Sequence, residues 1–390
     1  MEGVEDIPEI VMVEGLPWNW ETFDEYLDTL DSRNLDIDIA AQLPHSAVRV
    51  YVMGRRGSDR EEATPDDCAK MTDIVADAVR AGAWGVSTSR QIYHHTADGE
   101  PIPTLGSTTA ELNPLGRGLR AAGSGVFQIV PDFFGPADVE LGLMREVAAE
   151  AERPLSFSLI QGDNDLWRDY LTGMAQASQD DLSIKGQVFP RPVGTLVGLD
   201  LSFDPLCRRP SWQDIADLLL VGKVAALRDP EFRARILAEQ DEEHPQPTVN
   251  FVLERLGDMT VLNDKPNYTP RPEDTLDYQS KAAGMDVVAY ALDQMLERDG
   301  TRVLYLAAGN YRNFSKSAVE EFLTDPNCII GLGDGGAHYE LVCDSSYPTS
   351  LLTNWVGPGD SCRLRLPSAN LRRSQRSSSA FSTAVGLLRV

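Results

Sequence analysis

Short apolar runs alternate with amphipathic stretches along most of this chain, and that alternation limits its fold more than any single residue does. Glu21 to Arg33 places Phe23, Tyr26, Leu27 and Leu30 on one face at helical spacing. Thr64-Pro65-Asp66-Asp67 supplies an N-cap, a proline at the first helical position and acids in the first turn, so a helix is predicted from there to about Arg80. A further helix is predicted from about Pro136 to Glu152. Between such segments lie strand-like runs at Asp36 to Leu43, Trp84 to Thr88, Gly125 to Val130, Leu155 to Ile160, Val193 to Leu201, Val303 to Ala308 and Cys328 to Gly333. Strands separated by single helices imply a parallel sheet, and this many imply a barrel.

The most informative strand is the last. Cys328-Ile329-Ile330 runs into Gly331-Leu332-Gly333-Asp334-Gly335-Gly336-Ala337-His338, a glycine-rich exit that presents one carboxylate and, four residues on, a histidine. In a parallel α/β barrel the carboxyl ends of the strands line the active site. Asp334 is therefore the first catalytic candidate, against the plainer reading that it opens a glycine turn and caps the next helix.

Composition narrows the rest. With 390 residues, 42% of them hydrophobic, the chain can bury a substantial core in one large α/β domain or two smaller ones. No apolar run approaches the roughly 20 residues of a membrane span, and Glu2, Glu5, Asp6 and Glu9 are the opposite of a signal peptide's basic start, so a soluble, cytoplasmic protein is expected. A net charge of −25 argues against nucleic acid and anionic membranes as partners. The cysteines Cys68, Cys207, Cys328, Cys343 and Cys362 are odd in number and widely spaced, which argues against a disulfide framework or a zinc knuckle.

From Gly357 the chain changes character. Arg363, Arg365, Arg372, Arg373, Arg376 and Arg389 face only Asp360, serines crowd in, and apolar periodicity fades. The expected organisation is thus a barrel over 1–356 followed by a basic tail over 357–390. That tail is either disordered or translated out of frame from a GC-rich coding sequence, since only six of the 35 basic residues are lysine.

Trp18-Asn19-Trp20-Glu21-Thr22-Phe23, Gly82-Ala83-Trp84-Gly85-Val86-Ser87-Thr88-Ser89-Arg90 and Gly331 to His338 together resemble the N-acyl-D-amino-acid deacylases (D-aminoacylases) of the amidohydrolase superfamily, over Met1 to about Val356. The resemblance implies a distorted (β/α)8, TIM-like barrel of metal-dependent hydrolase type with a small β-sandwich beside it. It also implies zinc-assisted hydrolysis of a linear amide, with a small N-acyl amino acid as substrate. Asp334 matches the aspartate that ligates metal and takes a proton from the attacking water. Zinc chemistry explains the need for that residue: the ion brings bound water to a pKa near about 7, and a carboxylate moves the proton on to the leaving amine.

Ser87, Thr88 and Arg90 lie at a strand exit where they can hold a substrate carboxylate, Arg90 bidentately. The bland alternatives are a satisfied turn for the hydroxyls and a surface ion pair for the arginine. His338 is a substrate-side candidate near Asp334. His45, after Pro44, is a metal candidate at the barrel mouth or else a hydrogen-bonded strand-end histidine. His94 and His95 sit in a polar loop, and His244 sits in an acidic stretch.

The chain also departs from the deacylase pattern. It has no His-x-His on a first strand and no metal-bridging cysteine turn, and the strand ends Ile129-Val130-Pro131 and Leu159-Ile160-Gln161 carry no histidine. Asp204 in Phe203-Asp204-Pro205 is a possible ligand or a turn cap. The expectation is therefore a partial barrel lacking its first strand or strands and the sandwich. Two readings stand beside the amidase: an inactive, metal-free fragment, and a metal-independent glycoside hydrolase using carboxylates drawn from Glu14, Asp132 and Asp163.

Overall fold

The computed structural model of this chain describes residues 7, 9–96, 99–333, 341–342 and 344–355. Asp334, His338 and the basic tail lie outside the described residues. Six strands form one parallel sheet in the order β1 (Gln42–Pro44), β2 (Gly85–Ser89), β3 (Val126–Val130), β4 (Leu155–Leu159), β5 (Ile184–Val188) and β9 (Cys328–Ile330). Among the described residues β1 and β9 are its two edges, so the sheet is a partial barrel rather than a closed one. The second sheet is antiparallel, with β8 (Leu304–Gly309) between β6 (Val193–Val197) and β7 (Thr260–Val261).

The helices named below are α1 (Glu9–Gly15), α2 (Phe23–Asp31), α3 (His45–Met53), α4 (Pro65–Ala81), α5 (Thr109–Ala122), α6 (Ala137–Ala151), α7 (Leu166–Gln179), α8 (Leu220–Arg228), α9 (Pro230–Ala238), α10 (Pro247–Leu253), α11 (Leu276–Ala283), α12 (Val287–Met295), α13 (Ser317–Thr324) and α14 (Tyr347–Trp355). Local chemistry explains α4 well. Thr64 Oγ1 accepts from the Asp67 N–H at 3.2 Å, and the Asp67 carboxylate accepts from the Thr64 N–H at 3.0 Å, a reciprocal capping box. Met71, Val75, Ala78 and Val79 then recur at helical spacing and are buried against the sheet.

Close approaches fix the layers. A Cβ on Gly85 would lie 1.9 Å from the Val126 carbonyl oxygen, so only glycine lets β2 and β3 pair in this register. Gly118 of α5 likewise lies against α4, where a Cβ would fall 2.7 Å from the Thr72 oxygen.

The sheet has two unlike faces. Val86, Phe127, Ile129, Leu155, Phe157, Leu159, Ile184 and Val188 pack with α4, α5, α6 and α7 in one core. The side chains that alternate with them form the other face. There Ser87 pairs with Gln128, Gln128 with Ser156, and Ser156 with Lys185 in one cross-strand row. A barrel interior filled for stability carries bulky branched residues in such a row. A second, separate core joins the antiparallel sheet to α8, α9, α10, α11 and α12.

Three sequence expectations are corrected. Asp36 to Leu43 is strand only at its end, because no strand among the described residues pairs with residues 36–40, and Ile37 and Ile39 remain exposed. The Val193 and Val303 runs are not in the parallel sheet. After β5 the chain reaches β6 through Phe189-Pro190-Arg191-Pro192 without a crossover helix, and parallel pairing needs one. The fifth parallel strand is instead Ile184–Val188, whose polar alternate residues hide it from a search for apolar runs.

Candidate active site

The carboxyl ends of β1 to β5 and β9 open on the same side of the sheet, and most of the residues singled out from sequence sit there. His45 begins α3 directly after β1 and is wholly buried. Its Nδ1 lies 2.9 Å from Thr88 Oγ1 and its Nε2 lies 2.7 Å from Glu111 Oε1. The other Glu111 oxygen accepts from Arg49, whose Nε also donates to the Gly57 carbonyl at 3.1 Å. Burial alone would raise the Glu111 carboxyl, but the hydrogen bonds from His45 and Arg49 outweigh it and hold the group below the usual carboxylate range. Thr88 and His45 thus belong to a network on the helix side of the sheet.

Arg90 is committed as well. Its Nε lies 3.1 and 3.0 Å from the two oxygens of Glu140, and one terminal nitrogen lies 2.9 Å from Oε1. Its other terminal nitrogen donates to the Ser107 carbonyl. Both partners are largely buried, so this is neither a free carboxylate clamp nor the surface pair that sequence reasoning weighed against it. Ser87, by contrast, lies on the polar face. Of Ser87, Thr88 and Arg90 it alone has no hydrogen-bond partner for its side chain among the described residues.

Other groups gather where sequence gave weaker signals. Ser89 Oγ lies 2.7 Å from His94 Nδ1, which ties the histidine loop to the exit of β2. Tyr93, Phe134 and Phe251 form an aromatic triad, with Tyr93 4.9 Å from Phe134 and 6.0 Å from Phe251. Burial, and then the charges of Asp132 and Asp163, push the Tyr93 phenol up to about 12, so both carboxylates act on one ring. Asp132 accepts from the Phe134 N–H at 3.0 Å and Asp163 lies 3.6 Å from Arg255. Glu14 ends no strand: it lies in α1, an exposed helix that no strand precedes among the described residues.

Two functional-looking residues escaped sequence reasoning. Asn310, buried and at a left-handed φ of 60°, follows β8. Its Oδ1 accepts from the Gln161 N–H at 2.8 Å, its own N–H donates to the Gln161 carbonyl at 2.9 Å, and its Nδ2 donates to the Phe189 carbonyl at 3.2 Å. One side chain therefore holds the exits of β4, β5 and β8 together. Gly309-Asn310 after an apolar run was the available signal, since asparagine tolerates that backbone region. Lys185 lies at the opposite end of the polar face and donates to Asn327 Oδ1 at 2.9 Å.

Asp204 is the cap of a turn. Its Oδ1 accepts from the Leu206 N–H at 2.7 Å, while its Oδ2 is buried with no partner. Burial pushes this carboxyl up to about 8.

Residues 1–294 match a family model described as the amidohydrolase family. This chain belongs to the amidohydrolase family. No curated protein matches the chain. Among solved structures, a D-aminoacylase described as defining a novel subset of amidohydrolases is 19% identical, with a TM-score of 0.42. A D-aminoacylase studied for the role of its binuclear metal centre and a D-aminoacylase mutant in complex with copper chloride are each 18% identical, with TM-scores of 0.43 and 0.42. Each match covers 80% of this amidohydrolase and 51% of the other chain, so the chain spans about half the length of the solved structures it matches.

The donor chemistry of this amidohydrolase does not make a metal centre among the described residues. No three histidine, cysteine, aspartate or glutamate side chains come together there. Both ring nitrogens of His45 are engaged, and the exits of β3, β4 and β5 bring proline, glutamine and arginine rather than histidine. No helix among the described residues is long and apolar enough to cross a membrane.

Proposed function

We propose that this amidohydrolase cleaves a linear amide bond, in the manner of an N-acyl-D-amino-acid deacylase, with Asp334 as general base. The observation that carries the reading is the polar face of the parallel sheet, where Ser87, Gln128 and Ser156 stand in one row in a chain of the amidohydrolase family. Asp334 would take a proton from the attacking water as its oxygen bonds to the acyl carbon, then return a proton to the nitrogen as the C–N bond breaks. Ser87 is the β2 residue proposed to meet substrate, and His338 the proposed neighbour of the base. The zinc that the deacylase resemblance implies does not fit the described donor set, and no step is assigned to it.

A second reading is a barrel that has kept its fold without a hydrolytic centre, and the histidine-free sequences that follow β3, β4 and β5 support it. The two separate in one experiment. The full chain, checked for a monodisperse folded peak and for bound metal, is assayed for release of free D-amino acid from a panel of N-acetyl-D-amino acids. Turnover that falls by at least about a hundredfold in Asp334→Asn supports the amidase. A folded chain that is silent across the panel refutes it in favour of the inactive barrel.

A further inference from the structure

Neither Ser89 nor His94 takes part in the proposed amide cleavage, yet the two meet at the carboxyl end of β2, on the side of the sheet where the strand exits open. Ser89 Oγ lies 2.7 Å from His94 Nδ1, and both residues are half-buried, so part of each faces solvent. The neighbouring contact of His45 with Thr88 differs in that respect, because His45 is wholly buried and both its ring nitrogens are engaged.

Backbone contacts hold the pair in place. The end of β2 is fixed by the Arg90 N–H, which donates to the Val130 carbonyl at 2.9 Å, and by Thr104 Oγ1, which donates to the Ser89 carbonyl at 2.9 Å. The His94 N–H donates to the Gln91 carbonyl at 3.1 Å, and the His94 carbonyl accepts from the Ile102 N–H at 3.4 Å. A hydroxyl has one hydrogen to give and two lone pairs. At Ser89 Oγ the Gln91 N–H, 3.1 Å away, takes one lone pair. With His94 in the neutral tautomer that carries its hydrogen on Nε2, Nδ1 accepts the hydroxyl hydrogen and the second lone pair is left to attack. Tyr93, the residue before His94, packs on Phe134, whose side of the contact is 52% exposed, so an aromatic face lies open on this loop.

We propose that Ser89 and His94 are a nucleophile and its general base, and that they cleave carboxylic esters with an aryl leaving group. Ser89 Oγ bonds to the acyl carbon as its proton passes to His94 Nδ1; the bond from that carbon to the aryl oxygen breaks, and the phenolate takes the proton. Water then bonds to the acyl carbon and gives a proton to His94, which returns it to Ser89 Oγ as the acid departs. One ester and one water become one acid and one phenol, with no further reactant. An ester suits the pair better than an amide, because a phenolate leaves without the full protonation that an amine requires. The open aromatic face selects the aryl group. Asp334 has no part in this cycle, so the proposal stands apart from the amidase reading.

Two measurements on the full chain test it. The first is labelling with an alkyl fluorophosphonate, which bonds irreversibly to an activated serine oxygen, followed by peptide mapping. The label should fall on Ser89 and should be lost in His94→Asn. The second is hydrolysis of p-nitrophenyl acetate in the presence of a chelator, where Ser89→Ala should lose at least about a hundredfold of the turnover. Thermal melts of both variants exclude misfolding as the cause, and labelling of the unaltered chain stands whatever their stability. A folded chain that takes no label at Ser89 overturns the proposal. So does ester turnover that survives in folded Ser89→Ala, or that the chelator abolishes, since the dyad would then be only a tie between the loop and β2.

Discussion

Asp204→Asn should make this protein less sensitive to alkaline pH, by an amount that follows from where the carboxyl sits. In the unfolded chain the group titrates at about its ordinary 3.8, whereas burial in the second core raises it to about 8. Between those values the folded protein holds a proton that the unfolded chain has released. Stability is therefore fully present below about pH 4 and falls by about 1.4 kcal/mol per pH unit until the folded carboxyl ionises. From pH 5 to pH 8 the loss comes to roughly 4 kcal/mol. Asparagine keeps an oxygen for the Leu206 N–H and has nothing to titrate. Urea denaturation midpoints of the two proteins, measured at pH 5, 6, 7 and 8, should diverge steadily, with the variant gaining on the parent at each step. A difference between them that stays flat across the series would refute the reasoning, because it would mean that Asp204 is already ionised in the native fold at pH 5.

Two further perturbations probe the site. Glu111→Gln leaves Arg49 buried without its counter-charge, and a loss of about 3–5 kcal/mol is expected. Since Glu111 titrates below its ordinary value in the fold, its stabilisation is present above about pH 4.5 and is lost as the pH falls through the folded value, so parent and variant should converge in acid. A thermal midpoint that the substitution leaves unmoved at pH 7 would show that the pair does not hold the exits of β1 and β2. Asn310→Ala removes the side-chain bonds to Gln161 and Phe189, at a cost of about 1–3 kcal/mol for the orphaned groups. Hydrogen exchange at the Gln161 amide should accelerate accordingly, and unchanged protection there would count against the clasp.

What the sequence revealed depended on how far apart the deciding residues lie. The helix from Pro65 was legible because Thr64, Pro65 and Asp67 act within one turn. The strands β2, β3 and β4 were legible because apolar runs end at glycine, proline or polar residues. Strand β5 was hidden because its lysine, glycine and glutamine answer to a polar face that only the assembled sheet defines. The fate of Arg90 was equally hidden, since Glu140 lies 50 residues away and nothing near either residue announces the pair. His45 was placed correctly at the end of a strand, but its direction was set by Thr88 and Glu111, which arrive from two other elements. The short link Phe189-Pro190-Arg191-Pro192 reads as a loop in sequence and decides that the next strand runs antiparallel.

The clasp at Asn310 bears on how the molecule comes apart. The parallel sheet and the antiparallel sheet each have their own apolar core, and two such cores would ordinarily be free to melt at different temperatures. A single amide that satisfies backbone groups at the ends of β4, β5 and β8 makes the loss of either core expose polar atoms belonging to the other. The cost of opening one half is thus shared with its neighbour, and a single heat-absorption peak is expected where the core count alone suggests two.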